Sequence, residues 1–275
     1  MGHTVFELAP AKINLILHVT GQRRDGYHLL DSLVVFAPDA ADRLTLTPAK
    51  ETRLTVRGPF AGAVPPGAEN LVLRAAHLAG VGAHIELTKN LPVMGGIGGG
   101  SADAAACLRG LARVADRPLC DGLSLGADVP VCVAGRPARM AGIGDIVTPL
   151  DTWPNLAAVL LNPGVSLSTP TVFKALKKRQ NSPPNWRALN YDDPLPWLKA
   201  GRNDLEEPAR RLAIPVRHAL DALRDAGADL VRMSGSGSTC VGLFSGMPAA
   251  RAAETQLARP GWWVRATRLT GTNPP

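Results

Sequence analysis

The chain has 275 residues, and its 30 Lys and Arg outnumber its 23 Asp and Glu to leave a net charge of +7. At 45% hydrophobic and 19% charged residues it has the material for a sizeable core, which excludes wholesale disorder. The longest aliphatic run, residues 156–161, is far short of the roughly 20 residues of a membrane helix, and the first residues lack the pattern of a signal peptide. A soluble, cytoplasmic protein is expected. The four cysteines form no Cys-x-x-Cys and the six histidines no His-x-x-x-His, which argues against a disulfide scaffold or a zinc site and for free thiols. Aromatics are 4% and the positive charge is thinly spread, unlike the basic, aromatic-interleaved stripe of many nucleic-acid binders. The surplus suits small anionic ligands.

Residues 12–20 alternate, with Ile13, Leu15, Leu17 and Val19 apolar, and predict a strand whose other face presents Lys12, Asn14 and His18 together. A turn-rich stretch, 21–26, leads to Tyr27 and His28. Short strands are predicted at 43–47, 53–57 and 83–88, and a helix over 70–79. Residues 101–115 read as a helix with Ser101 as its N-cap, so the region is strand, glycine loop, helix. Residues 181–200 hold four prolines and read as an irregular excursion. Beyond it come a helix at 216–226, strands at 230–233 and 240–244, a helix at 249–257 and a strand at 262–269. That order predicts an α+β unit with an antiparallel sheet.

Five of the six residues 95–100 are glycine, and a helix follows directly. Glycine lets the backbone approach a ligand and adopt positive φ, and a helix N-terminus adds unpaired N–H donors and partial positive charge. The combination predicts a phosphate cradle, and a Cβ at Gly99 is expected to block the backbone's approach to phosphate. Neither Gly-x-x-x-x-Gly-Lys-Ser/Thr nor Gly-x-Gly-x-x-Gly is present, which argues against a P-loop or a Rossmann dinucleotide site. Asp128 lies between Gly126 and Pro130, where the chain is expected to extend and present its carboxylate. The Ser234–Ser238 stretch joins two predicted strands and is compatible with either a phosphate-closing loop or a plain turn.

Pro92-Val-Met-Gly-Gly-Ile-Gly-Gly-Gly-Ser-Ala-Asp-Ala-Ala105 resembles the ATP loop of the GHMP small-molecule kinases. Ala11-Lys-Ile-Asn-Leu-Ile-Leu-His-Val-Thr-Gly-Gln-Arg-Arg-Asp-Gly-Tyr-His28 is similar to the first motif of the branch that acts on a cytidine diphosphate-linked methylerythritol. Residues 125–130, 162–169, 203–206 and 233–238 resemble that branch in the same order.

The resemblance implies an α+β, two-domain fold: a ribosomal-protein-like N-terminal domain over 1–150 and a ferredoxin-like α/β sandwich over 151–275. It implies ATP as phosphoryl donor, with Mg²⁺, and transfer to the 2-hydroxyl of the cytidyl substrate. Lys12 and Asp128 are implied as the catalytic pair. The ATP site is implied at Pro92, Val93, Met94, Gly95, Gly96, Ile97, Gly98, Gly99, Gly100, Ser101 and Ala102, and the substrate site at Asn14, Tyr27, His28, Ile143 and Thr169. Its partner is then a small molecule, with no nucleic acid and no membrane, and the protein a monomer or weak homodimer. The alternatives are a homoserine- or mevalonate-type kinase without a cytosine pocket, and a basic RNA-binding protein. Asp103 departs from the Asn common in such loops and would repel phosphate unless Mg²⁺ or an outward orientation relieves it.

Overall fold

The computed structural model describes residues 3–270, so the outermost ends of the two expected domains, 1–2 and 271–275, lie outside the described residues. A long hairpin founds the first sheet. β1 (Val5–Gln22) pairs antiparallel with β2 (His28–Pro48), so the strands expected at 12–20 and 43–47 are pieces of two much longer ones. β3 (Arg53–Arg57) runs parallel to β4 (Ala83–Thr88), and α1 (Leu71–Ala79) supplies the crossover that a parallel pair requires. Asn70 caps α1 by accepting from the Val72 N–H at 2.9 Å. α2 (Gly99–Ala115), α3 (Val129–Ala134), β5 (Ala138–Gly142) and β6 (Ile146–Pro149) complete this half. The sheet order is β3-β4-β2-β5-β6, with β1 also on β2.

The second half runs β7 (Leu156–Asn162), α4 (Thr169–Lys174), α5 (Leu195–Ala200), α6 (Glu206–Leu212) and α7 (Ile214–Asp225). It closes with β8 (Leu230–Met233), β9 (Cys240–Phe244), α8 (Met247–Leu257) and β10 (Trp263–Leu269). Its four strands form a wholly antiparallel sheet in the order β10-β7-β9-β8, as the element order predicts. Among the described residues no helix is long and apolar enough to cross a membrane, and all four cysteines are free thiols, with Cys107, Cys132 and Cys240 buried.

Three apolar clusters hold the molecule together. Phe36, Leu44 and Ile85 pack under α1 and α2, while Val159 and Leu161 of β7 pack with Leu220 of α7 and Ala253 of α8. The third cluster lies between the sheets: Ile13, Leu15 and Val35 meet Ala158, Leu160, Val241 and Leu243. β7 is therefore buried on both faces, which accounts for its unbroken apolar run.

Two expectations need correction. The alternation of β1 does not carry through to His18, because the register shifts between Asn14 and Ile16. A bulge inserts one residue and reverses which side chains face which side. Lys12 and Asn14 wall a cavity, then Leu17 does, and His18 turns away from it. Its Nδ1 donates to the Ser182 carbonyl at 2.9 Å and its Nε2 accepts from the Arg202 N–H at 3.3 Å, while burial lowers its pKa. His18 is a neutral tie between β1 and the 182–202 segment. That segment is not irregular throughout. It holds a 3₁₀ turn at Trp186–Ala188 and α5, and the Trp186 Nε1–H donates to buried Asp31 at 3.0 Å.

Candidate active site

A cavity of about 1140 Å³ opens between the two halves. Single-ligand sites typically run ~300–1,000 Å³, so this one has room for more than one small molecule. Its walls include Lys12, Asn14, Tyr27, His28, Asp128, Ile143 and Thr169, together with most of the glycine loop.

The loop itself comes from the chain between β4 and α2. Met94, Gly96 and Gly98 all have positive φ, at 56°, 72° and 62°. Helix α2 begins at Gly99 with Gly98 as its N-cap, and the Ala102 N–H already bonds the Gly98 carbonyl at 2.8 Å. Ser101 is therefore a first-turn residue and not the cap, because the glycines carry the helix start back so that the cap falls three residues earlier, at Gly98. The first-turn N–H groups of Gly99, Gly100 and Ser101 have no intrahelical acceptor, and all three residues line the cavity. Pro92, Val93, Met94, Gly95 and Gly96 line it too, whereas the side chains of Ile97 and Ala102 are buried in the core and anchor the loop from behind.

Lys12 and Asp128, 116 residues apart, meet at 2.9 Å. The Lys12 ammonium is 4% exposed and the Asp128 carboxylate 36%, so the cation is fixed in the wall while the carboxylate reaches the open space. Lys12 is held by its strand and by its own N–H, which donates to the Ile97 carbonyl of the glycine loop at 2.9 Å. Asp128 does not sit on extended chain as expected. It precedes α3 in helical conformation, with Pro130 inside the first turn, a position Pro tolerates well.

Asp103 does not take the outward orientation. Its carboxylate turns inward, 3% exposed, and its Oδ2 accepts from the Lys89 Nζ at 2.5 Å. Lys89 also donates to Asp42 at 2.5 Å, and the other oxygen of Asp42 accepts the backbone N–H of Asn90 and Leu91. Burial raises the Asp103 pKa well above the usual carboxylate range, Lys89 opposes the shift, and the Asp42 carboxylate adds to it. Burial alone would lower the Lys89 pKa, but its two carboxylates raise it on balance. Two acids and one cation thus sit behind the glycine loop with Asp103 tending to keep a proton. A Cβ on Gly99 would lie 3.2 Å from the Lys89 Nζ, so a side chain here would crowd the buried ammonium.

At the other end of the cavity, the turn of the β1–β2 hairpin carries Tyr27, 59% exposed, and His28, whose ring stacks on Phe173 with centroids 4.7 Å apart. Burial and then Arg179 lower the His28 pKa, so the ring is neutral, and its Nε2 has no hydrogen-bond partner among the described residues.

The 234–238 loop is tied chiefly to the first glycine loop. Ser234 Oγ donates to the Gly96 carbonyl at 3.0 Å, the Thr239 N–H donates to the Gly95 carbonyl at 2.9 Å, and a Cβ on Gly96 would come within 2.6 Å of the Ser234 carbonyl oxygen. Asn203 secures its root by donating to the Met233 and Gly235 carbonyls. Asn162 donates to Thr239, and Thr169 Oγ1 lies 2.8 Å from Ser236 Oγ. Ile143 sits on the turn whose Gly144 packs on Ala127, next to Asp128.

Sequence reasoning missed Lys89 and Asp42, Phe173, and an apolar arm of the cavity formed by Val64, Pro65 and Leu71. A lysine closing the strand just before the loop is the one signal that was available.

Models of the GHMP kinases N terminal domain and the GHMP kinases C terminal match residues 68–148 and 188–260. The chain is 53% identical over 268 residues to the 4-diphosphocytidyl-2-C-methyl-D-erythritol kinase of Paracoccus denitrificans, covering 96% of each chain. A crystal structure of 4-(cytidine 5'-diphospho)-2C-methyl-D-erythritol kinase superposes with a TM-score of 0.81 at 36% identity, over 97% of this chain and all of the other. A homoserine kinase from Cytophaga hutchinsonii shares the fold at 21% identity, with a TM-score of 0.74 over 100% of this chain and 98% of that one. With a strand-borne lysine bonded to a carboxylate on the wall of the cavity that the glycine loop lines, and with both family models matched in order, this chain belongs to the GHMP kinases.

Proposed function

We propose that the chain transfers the γ-phosphoryl group of ATP to the 2-hydroxyl of 4-diphosphocytidyl-2-C-methyl-D-erythritol. The observation that carries the chemistry is the Lys12–Asp128 pair on the wall of a cavity that also holds the glycine loop and the Tyr27–His28 turn. The substrate assignment is supported by the relatives of that name and by the neutral, partly unpartnered His28 ring.

In this reading adenine occupies the arm at Val64, Pro65 and Leu71. The phosphates lie on the N–H groups of residues 95–101, backed by the N-terminus of α2. Pro92, Val93 and Met94 form the approach, and Ile97 and Ala102 act through the backbone they anchor. Phosphoryl transfer asks chiefly for positioning and charge stabilisation. Asp128 accepts the hydrogen bond, and then the proton, of the attacking hydroxyl. Lys12 bonds that carboxylate and faces the charge that builds on the transferring group. Tyr27 stacks on cytosine and His28 bonds its edge, with Phe173 behind; Asn14, Ile143 and Thr169 flank the acceptor alcohol.

Among the described residues no cluster of three or more His, Cys, Asp or Glu is placed to hold a metal ion by itself. Mg²⁺ is usually carried by one or two carboxylates plus substrate phosphates, and the Ser101 hydroxyl and Asp128 carboxylate on the cavity wall fit that demand. When bound, it would offset charge on the phosphates. The reading also takes the enzyme as cytoplasmic, monomeric or weakly dimeric, with domains dividing at 150/151; sedimentation velocity tests the oligomeric state. The deciding experiment offers ATP with the cytidyl substrate, homoserine or mevalonate and identifies products by mass spectrometry. Phosphorylated cytidyl product is expected, and turnover of either other alcohol in its place would overturn the assignment.

A further inference from the structure

The orientation of one buried amide in the cavity wall is determined by a residue outside the motifs. Ser32 on β2 is completely buried. Its Oγ donates to the Ile16 carbonyl at 2.6 Å, beside the β1 bulge, and receives the Asn14 side chain at 2.7 Å. A hydroxyl has one proton. With that proton on a carbonyl, Ser32 can only accept from Asn14, so the amide must turn its NH₂ toward Ser32. The backbone of Asn14 is fixed in the same way: its N–H donates to Ser234 Oγ at 3.1 Å, and the Ser234 proton is on the Gly96 carbonyl.

What remains of Asn14 is Oδ1. It is buried and has no hydrogen-bond partner among the described residues. It lies beside Gly235, where an added Cβ would be 3.4 Å away, and Asn14 and Gly235 both line the cavity. An unpaired buried acceptor is a cost that native structures seldom keep without a use. Lys12, two residues earlier on the strand, lines the same cavity.

We propose that Ser32 is a positioning residue for phosphoryl transfer: it locks the Asn14 amide so that Oδ1 is a ready acceptor for a hydroxyl of the alcohol substrate. The inference rests on the substrate reading above. A free amide could present either end, and the NH₂ end would set a donor where the hydroxyl needs an acceptor. Ser32 removes that ambiguity before binding, which is preorganisation.

The test measures binding of the cytidyl substrate and of ATP, by calorimetry, to wild type, Ser32→Ala, Asn14→Ala and the double variant. Ser32→Ala is expected to weaken the cytidyl substrate roughly 2–10-fold, the range of one neutral hydrogen bond, with ATP affinity unchanged. It should weaken nothing further in the Asn14→Ala background, because Ser32 acts through Asn14. Full additivity, or unchanged affinity per folded molecule, would overturn the positioning role. Should Ser32→Ala not fold, wild type labelled at the Asn14 side chain decides by NMR. Substrate should move the Asn14 carbonyl carbon more than the amide nitrogen, and the reverse pattern sinks the proposal. Wild type that ignores the cytidyl substrate overturns the substrate reading and the hydroxyl assigned to Oδ1 with it. Wild-type binding that Ser32→Ala leaves intact overturns the positioning role alone.

Discussion

At the glycine loop the cavity wall is backbone, held in place by a second loop, a buried ion cluster and two core side chains. At the hairpin turn the wall is side chain: an exposed tyrosine and a neutral histidine on a short connection, with Phe173 brought in from α4. The difference follows from what each end would grip. Phosphate is recognised by converging N–H groups that any sequence of small residues can offer, so geometry must be imposed from outside. A base is recognised by a face and an edge, which need specific rings and tolerate a looser frame. The two ends should therefore fail differently when altered.

The largest effect is expected between them. Asp128→Asn and Lys12→Ala should fold and bind both ligands, with kcat lower by ~10²–10³, the usual result of losing one positioning or electrostatic group. Near-normal turnover by a well-folded Asp128→Asn protein would remove the pair from the chemistry. At the hairpin end, Tyr27→Ala and His28→Ala should raise KM for the cytidyl substrate about 5–150-fold with KM for ATP unchanged, as loss of base stacking predicts. A lower Tm with substrate affinity preserved would mean that these rings only support the fold.

The comparison sharpens at two glycines that share positive φ. Gly96 and Gly26 have φ of 72° and 91°, but a Cβ on Gly96 would strike backbone, whereas nothing lies within 4 Å of one on Gly26. Gly96→Ala should destabilise by about 1–3 kcal/mol and weaken ATP. Gly26→Ala should cost about 1 kcal/mol of backbone strain with ATP binding intact. Equal losses in chemical denaturation would mean that the second loop does not brace the first.

The smallest effect concerns Asp103. Its folded pKa lies above the unfolded value of 3.8, so the folded state holds a proton that the unfolded state releases. Its stabilising contribution is full below that value and is lost as pH rises through the folded pKa. Asp103→Asn cannot titrate, so it should gain stability relative to wild type as pH rises above that unfolded value. Parallel stability curves in urea across that range would show that Asp103 is ionised throughout.

The glycine loop, the Lys12 strand and the Tyr27–His28 turn were legible because each is a local pattern. So were the β8–β9–α8–β10 signals, where period and turn residues agree. Three features were not. The β1 bulge leaves no mark in an alternation that runs unbroken past it, so the pattern alone puts His18 on the same face as Lys12. The Ser101 cap failed because the glycines themselves can enter the helix, which a capping rule built on side chains does not consider. Asp42 and Lys89 lie 47 residues apart and look like ordinary surface charges until the fold removes them from water.

The apolar layer between the sheets has a bearing on how the enzyme comes apart. Ile13 and Leu15, from the strand that carries Lys12, pack on β7 and β9 of the other half. A polypeptide ending at residue 150 would leave that layer facing water, so neither half is expected to survive expression alone as a soluble monomer. Heating should give one calorimetric peak, with the van't Hoff enthalpy matching the measured heat. The reacting groups are then either all assembled or all lost, with no half-melted form in which the nucleotide side persists without its acceptor.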